Sequence, residues 1–505
     1  MLPIQKNYTK SFFALLSLPA TAMGFALSIQ IAALSWILKT KYDLDVEEIG
    51  IVWAAGPIAG IFGQVIIGVI SDKVWFWGGR RRPFILIGGT IAALMLLALP
   101  NIGIISNSLG FTGILTVATS VALMLDLAIN ISFNPTRSII ADVTPEGKIR
   151  TGGYTWMQTV SGTFGVGAYL ISVIWDNYVL INVGVVLVLL FSVVPSFFIT
   201  EPKNLEGQQD ADQKPVSLKE SLLSILPLFG FLLFGVFGII NKLFLSNALD
   251  DFQNVAVYVS VGITFIIGAW LIAKSASKET NKGEFQKILL AHAFTWLGIQ
   301  CMFVYFTPFI SDVVVPNLND GVMANNFSSF LTGKDIASFN ADDAVGNIVA
   351  LSFLFLNLVG ALLPTIALGP LSQKIGRVKT HTLSIFLSAF GYLGLALFGS
   401  SETSIYLLIS VVGIGWAATI SLPFAIMSER VDQTKMGLYM GIFNLSVVLP
   451  QLMSSLGVGK ILNESENAGT LFYICAMALG VSGVLWLFVK DTNSKASTIS
   501  PSGGH

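Results

Sequence analysis

The chain has 505 residues, of which 54% are hydrophobic and 11% charged, and its formal net charge is −1. An ordinary soluble domain carries about 25% charged residues, so the composition argues against a soluble enzyme, and the balanced charge gives no electrostatic basis for binding nucleic acid. Apolar stretches of 18 or more residues recur along the whole length, which makes the chain an all-α polytopic membrane protein embedded in a lipid bilayer.

Fourteen spans are predicted, at about 11–38, 48–71, 83–105, 110–142, 151–175, 178–199, 220–241, 254–273, 286–310, 344–369, 378–399, 403–427, 436–459 and 469–489. The first is too long for a cleavable signal peptide and has no small-residue cleavage site. With both termini in the cytoplasm, the cytoplasmic segments carry 22 Lys and Arg and the outer segments carry 5. That asymmetry fits the positive-inside rule. It predicts a multi-pass protein of a plasma membrane or bacterial inner membrane.

In chain order, Gln30 is a polar group in the first span and a candidate for a pathway wall. The second span holds Gly56, Pro57, Gly60, Gly63 and Gly68, a spacing that lets helices approach closely. Gln64 in that span is either interhelical glue or pathway. The loop that follows runs from Ser71 and Asp72 to Arg80, Arg81, Arg82 and Pro83. It is a topology determinant. Asp72 pairing with an arginine across the loop could also act as a cytoplasmic gate, with Arg80, Arg81 and Arg82 as its basic members.

The fourth span carries Asp126, Asn130, Phe133, Pro135 and Arg137. Steps of 4, 7 and 11 residues return to one helix face, so Asp126, Asn130, Phe133 and Arg137 form a stripe. At ~1.5 Å per residue the two charges stand roughly 16 Å apart, too far for a direct ion pair. Each charge costs ~2.5–3.5 kcal/mol near the bilayer centre. Pairing with neighbouring helices is one reading; a charge relay lining a transport route is the other.

Residues 200–219 are polar and read as a cytoplasmic linker after a six-helix bundle at 1–199. A two-helix hairpin is expected at 220–285, then a second six-helix bundle at 286–490 and a cytoplasmic tail at 491–505. Residues 312–343 read as a long outer loop. In the second bundle, Gly369 to Arg377 stands where Asp72 to Arg82 stands in the first. Matching loops in two six-helix halves suggest a pseudo-twofold transporter with its site between the halves. Trp296, Asn357, Asn444 and Gln451 are an aromatic platform and amides inside apolar spans. Such groups suit a sugar, whose hydroxyls need donors and acceptors and whose C–H face stacks on rings. Each amide alone is as readily interhelical glue.

Cys301 and Cys475 lie in apolar spans and read as small core residues. His292, His381 and His505 form no metal-ligand cluster. No nucleophile–base pair, metal site or phosphate loop stands out, so neither enzymatic chemistry nor a cofactor is expected.

Several of these motifs resemble one family. Gly56-Pro57, Ser71-Asp72 and Gly79-Arg80-Arg81-Arg82-Pro83-Phe84-Ile85 are similar to the helix-two/three signature of the sucrose:proton symporters. Those belong to the glycoside–pentoside–hexuronide:cation branch of the major facilitator superfamily. Asp126, Asn130, Pro135 and Arg137, followed by Ala141-Asp142, resemble its fourth helix. Leu422-Pro423-Phe424-Ala425, Gly437, Gly441, Asn444-Leu445 and Pro450-Gln451 resemble its tenth and eleventh helices, and Trp296 to Pro308 its seventh. The resemblance touches residues 11–199 and 286–490.

It implies the major facilitator fold, proton coupling at Asp126 and sugar binding by Arg137. Asn130, Gln30, Gln64, Trp296, Asn357 and Asn444 complete the expected substrate site. The expected activity is proton-coupled import of an α-glucoside disaccharide, of sucrose or maltose type, by a monomer. A sodium-coupled carrier, an uncoupled carrier and a non-transporting sugar sensor are the alternatives. The chain departs from the family in two places: the hairpin at 220–273 is additional to twelve helices, and the stretch around Asn347 lacks the basic residue of plant relatives.

Overall fold

A computed structural model describes residues 3–60, 74–110, 113–145, 148–202, 223–245, 247–277, 280–319, 340–431 and 436–491. Its principal helices among the described residues are α1 (Lys10–Thr40), α2 (Val46–Trp53), α3 (Arg82–Leu109), α4 (Ile114–Val143), α5 (Lys148–Ile174), α6 (Asn177–Phe198) and α7 (Leu226–Lys242), then α8 (Gln253–Ser277), α9 (Asn281–Asn317), α10 (Ala341–Leu363), α11 (Arg377–Phe398), α12 (Glu402–Ser428), α13 (Tyr439–Asn463) and α14 (Thr470–Trp486). Among the described residues eleven of these are long and apolar enough to cross a membrane, and α7 and α14 are shorter apolar helices. The segment after α2 leaves the described residues at 60, so Gln64 and Asp72 lie outside them.

Short polar residues set where the helices begin. Asp45 and Glu48 cap α2 reciprocally. Asp176 accepts the Val179 N–H at 2.7 Å and Asn340 that of Asp343 at 2.8 Å. Each such cap is worth about 1 kcal/mol and turns the chain sharply at the membrane boundary. Thr280 caps α9, so this helix starts before the expected 286. At its far end α9 continues through a π turn at Ile310–Val314, into residues that the sequence assigned to a loop.

The helices pair in the same way in both halves. In the first, α1 packs on α5 and α6, and α3 on α4 and α6; in the second, α9 packs on α13 and α14, and α11 on α12 and α14. Helices α1 and α9 occupy equivalent places, and each has a π turn in its last third, at Gln30–Leu34 and Ile310–Val314. The hairpin α7–α8 packs on α13 and α9 of the second half. Leu228, Phe231, Phe234 and Val257 supply the apolar face it buries there.

One end of the molecule, bearing the α1–α2 turn, ties the halves together. Ser35 Oγ donates to the Val304 carbonyl at 3.3 Å, and Trp36 Nε1 to the Asp342 carbonyl at 2.8 Å. Asn347 Nδ2 donates to the Val173 carbonyl at 3.2 Å. Lys39 pairs with Asp312 at 3.2 Å. The largest apolar core runs through this region and draws on both halves, from Ile37 and Val52 to Phe306 and Val349. Gly50 packs so tightly there that a Cβ would lie 2.3 Å from the Ser455 carbonyl oxygen and 2.5 Å from the Tyr305 hydroxyl.

Candidate functional site

Between the halves lies a cavity of about 400 Å³. It is walled by α1, the α2 segment, α4 and α5 on one side and by α9, α10, α12 and α13 on the other. Those are equivalent helices of the two bundles, as a site on a pseudo-twofold axis requires.

Among the described residues of the wall Asp126 is the one acid, and it is only 6% exposed. Its Oδ2 accepts a hydrogen bond from Gln30 Nε2 at 3.1 Å. Gln30 begins the π turn of α1, a local widening that commonly marks functional sites. Gly56 packs against the same carboxyl; a Cβ there would stand 3.4 Å from Asp126 Oδ2, in ordinary contact. One interhelical hydrogen bond contributes ~0.6–1.7 kcal/mol, less than the ~2.5–3.5 kcal/mol that a mid-membrane carboxylate costs. Fold stability therefore gives no reason for an acid at this position.

Asn130 and Phe133 line the cavity one and two turns along α4. Asn130 Nδ2 donates to the Asp126 carbonyl at 2.8 Å. Arg137 does not line it. Its guanidinium lies over the Phe133 ring, 4.0 Å from the centroid. Three members of the stripe predicted on α4 line the cavity, and the fourth, Arg137, stacks on the third.

The second half contributes amides and rings. Asn357, Asn444 and Trp296 all line the cavity. Gln451 Nε2 donates to Gln300 Oε1 at 3.0 Å. Trp296 meets Trp416 edge to face, with centroids 6.1 Å apart, and Phe303 meets Trp416 likewise at 5.4 Å. The Tyr169 hydroxyl stands against Ser28 and, across the cleft, Asn357. The wall therefore combines aromatic rings with convergent amides, the lining of a small-ligand site in which a few placed polar groups fix orientation.

Sequence reasoning left out Tyr169, Gln300, Phe303 and Trp416. A signal for two of them was present: Trp296, Gln300 and Phe303 fall at i, i+4 and i+7 on α9. Trp416 and Tyr169 sit in spans where an aromatic residue looks the same facing lipid, core or cavity.

The arginine run lies at the end opposite the α1–α2 turn. Glu201 accepts the backbone N–H groups of Arg80, Arg81 and Arg82 at 2.8 Å each, which places a carboxylate on the N-terminus of α3. Asp142, at the end of α4, accepts Arg81 Nε at 3.0 Å and pairs with Arg80 Nη2 at 3.6 Å. These contacts lie within the first half. They bind α3, α4 and the segment after α6 into one unit. Glu201 was not singled out from the sequence, because it opens a polar linker and looks like part of it.

A family profile described as Major Facilitator Superfamily matches residues 16–332 and 321–504. Among curated proteins, the sucrose transport protein SUC4 of Arabidopsis thaliana is 23% identical, over 90% of this chain and 88% of its own length. SUC3 of the same plant is 23% identical, over 99% and 91%. A general alpha-glucoside permease of Schizosaccharomyces pombe is 28% identical over 31% of each chain. Among solved structures, the nucleoside transporter NupG superimposes with a TM-score of 0.60 at 14% identity, covering 95% of this chain and 100% of that one. A peptide transporter POT does so at 0.61 and 14%, covering 95% and 94%.

Proposed function

The chain belongs to the Major Facilitator Superfamily, and on that premise we propose that it imports an α-glucoside disaccharide, of sucrose or maltose type, together with a proton by alternating access. It is a multi-pass membrane transporter and not an enzyme. The observation that carries the proposal is the cavity between the halves, where the buried Asp126 faces amides and aromatic rings. The names of the curated relatives, sucrose transport proteins and an alpha-glucoside permease, support the substrate class.

In this reading Asp126 takes the proton, and Gln30 reports its state to α1 through their hydrogen bond. Trp296 offers its ring to the sugar's C–H face; Asn130, Asn357 and Asn444 satisfy hydroxyls, joined by Gln64 from the second span. Arg137, held on Phe133, meets the sugar on its way to the arginine-bearing end. A guanidinium suits that task because its planar fork can bond two hydroxyls at once. The whole chain carries fourteen membrane helices: bundles at 1–199 and 286–490, a linker at 200–219 and a hairpin at 220–285.

The positive-inside rule puts the arginine run in the cytoplasm with both termini. The end at which the halves are tied is then the outer one, and the structure stands in an inward-facing state. Asp72, Arg80, Arg81 and Arg82 form the cytoplasmic gate that closes in the opposite state, the arginines already held in one unit by Asp142 and Glu201.

Reconstituted protein preloaded with unlabelled sucrose or maltose is expected to exchange it for labelled sugar from outside. Exchange should saturate and should be inhibited by a second α-glucoside. Failure to exchange any α-glucoside would overturn the substrate class.

A further inference from the structure

Resting on that reading, we propose that His292 is a positioning residue for the sugar site: it fixes the indole of Trp296 as a stacking platform and keys α13, which carries Asn444, to α9. His292 lies outside the cavity wall, one turn before Trp296 on α9, and is 2% exposed. Its Nε2 accepts a hydrogen bond from Trp296 Nε1 at 2.9 Å. The two rings meet at 83°, so the imidazole edge holds the indole from behind. On its other side the imidazole stacks on Phe443 at 15°, with centroids 4.6 Å apart. Phe443 precedes Asn444, which lines the cavity. One buried ring thus sets the orientation of the platform and the position of an amide opposite it.

The hydrogen bond also decides what Trp296 can offer. Its single N–H donor is committed to His292, and indole has no other donor. Trp296 therefore presents its π face to a ligand and not a hydrogen bond. That selects for the apolar C–H face of a pyranose ring, while the amides read the hydroxyl edge. Trp416, edge-on to Trp296 at 82°, limits rotation of the indole from the other side. With the acceptor removed, the indole can turn and its N–H is free to compete for hydroxyls.

The test uses full-length protein carrying His292→Phe, which keeps the stack on Phe443 but loses the acceptor, and His292→Gln, which keeps an acceptor. Loss of one committed hydrogen bond in a binding wall is expected to raise the sugar KM about tenfold. Transport at saturation should change much less, and His292→Gln should restore a KM near the wild-type value.

A second readout needs no sugar. The ultraviolet resonance Raman band of the indole N–H, assigned to Trp296 by difference from Trp296→Phe, should shift in His292→Phe and not in His292→Gln. An unshifted band in His292→Phe would overturn the inference, and so would a shifted band with an unchanged KM. If the wild-type protein transports no sugar while the band still shifts, the positioning contact stands and the sugar reading fails.

Discussion

At the scale of single residues, Asp126 is the group whose presence stability does not explain. It is buried against Gln30, Gly56 and Asn130, in a wall that combines amides and aromatic rings with aliphatic side chains. Replacing it with Asn keeps the shape and removes the titratable group. Asp126→Asn is expected to leave sugar exchange across the membrane measurable but to abolish accumulation against a gradient, read by labelled sugar in energised vesicles. Trp296→Ala should raise the sugar KM by about tenfold, since an aromatic contact contributes about 0.5–1.5 kcal/mol beyond its buried area and 1.4 kcal/mol is tenfold in affinity; saturation curves decide it. The sequence made Asp126 and Asn130 legible through their cost and spacing in an apolar span. Arg137 shows the limit of that reading. Spacing put it on the same face, but where a long side chain ends depends on what it packs against, and here its guanidinium stacks on Phe133.

At the scale of elements, the α1–α2 end is where closure is built. Tyr305 donates to the Ser454 and Ser455 carbonyls at 3.0 and 3.1 Å, and Gly50 lies directly against them. A methyl group at 50 has no room, so Gly50→Ala should wedge α2 from α13. Spin labels at Lys41 and Asn317, on exposed positions of the two halves, should then report a longer distance in a larger share of molecules. The hairpin takes part in the same closure. Lys242 on α7, only 2% exposed, is ion-paired with Glu47 at the start of α2 and with Asp250. Lys460 on α13 donates to the Asp250 carbonyl at 2.5 Å, and Gln253 Nε2 to the Leu456 carbonyl at 2.8 Å. Lys242→Met leaves the carboxylates of Glu47 and Asp250, 24% and 29% exposed, without the cation they share. It should shift the same label pair towards the longer distance; an unchanged distribution would separate the hairpin from closure. None of this was readable beforehand. Polar stretches on either side marked α7–α8 as a separable hairpin, but a lysine at a helix end looks like any boundary residue until its partners are placed.

At the scale of the whole molecule, two similar bundles meet at one end and enclose a cavity midway. The all-helical membrane architecture was legible, because hydropathy and charge are strong signals in a bilayer; residues 71–73 and most of the expected linker at 200–219 lie outside the described residues. Which helices face the cavity was legible only where a polar group broke an apolar span. If a proton enters with each sugar, lowering the outside pH by one unit at constant inside pH adds about 1.4 kcal/mol of driving force. The accumulation limit should then rise about tenfold per unit, and reversing the gradient should reverse net flux. Proton movement itself is the most direct test. Protein reconstituted in liposomes without an imposed gradient, with a pH-sensitive dye in the outer medium, should alkalinise that medium when sucrose or maltose is added, and Asp126→Asn should not. Sugar uptake by the wild-type protein without alkalinisation, or alkalinisation that persists in Asp126→Asn, would contradict proton coupling at Asp126.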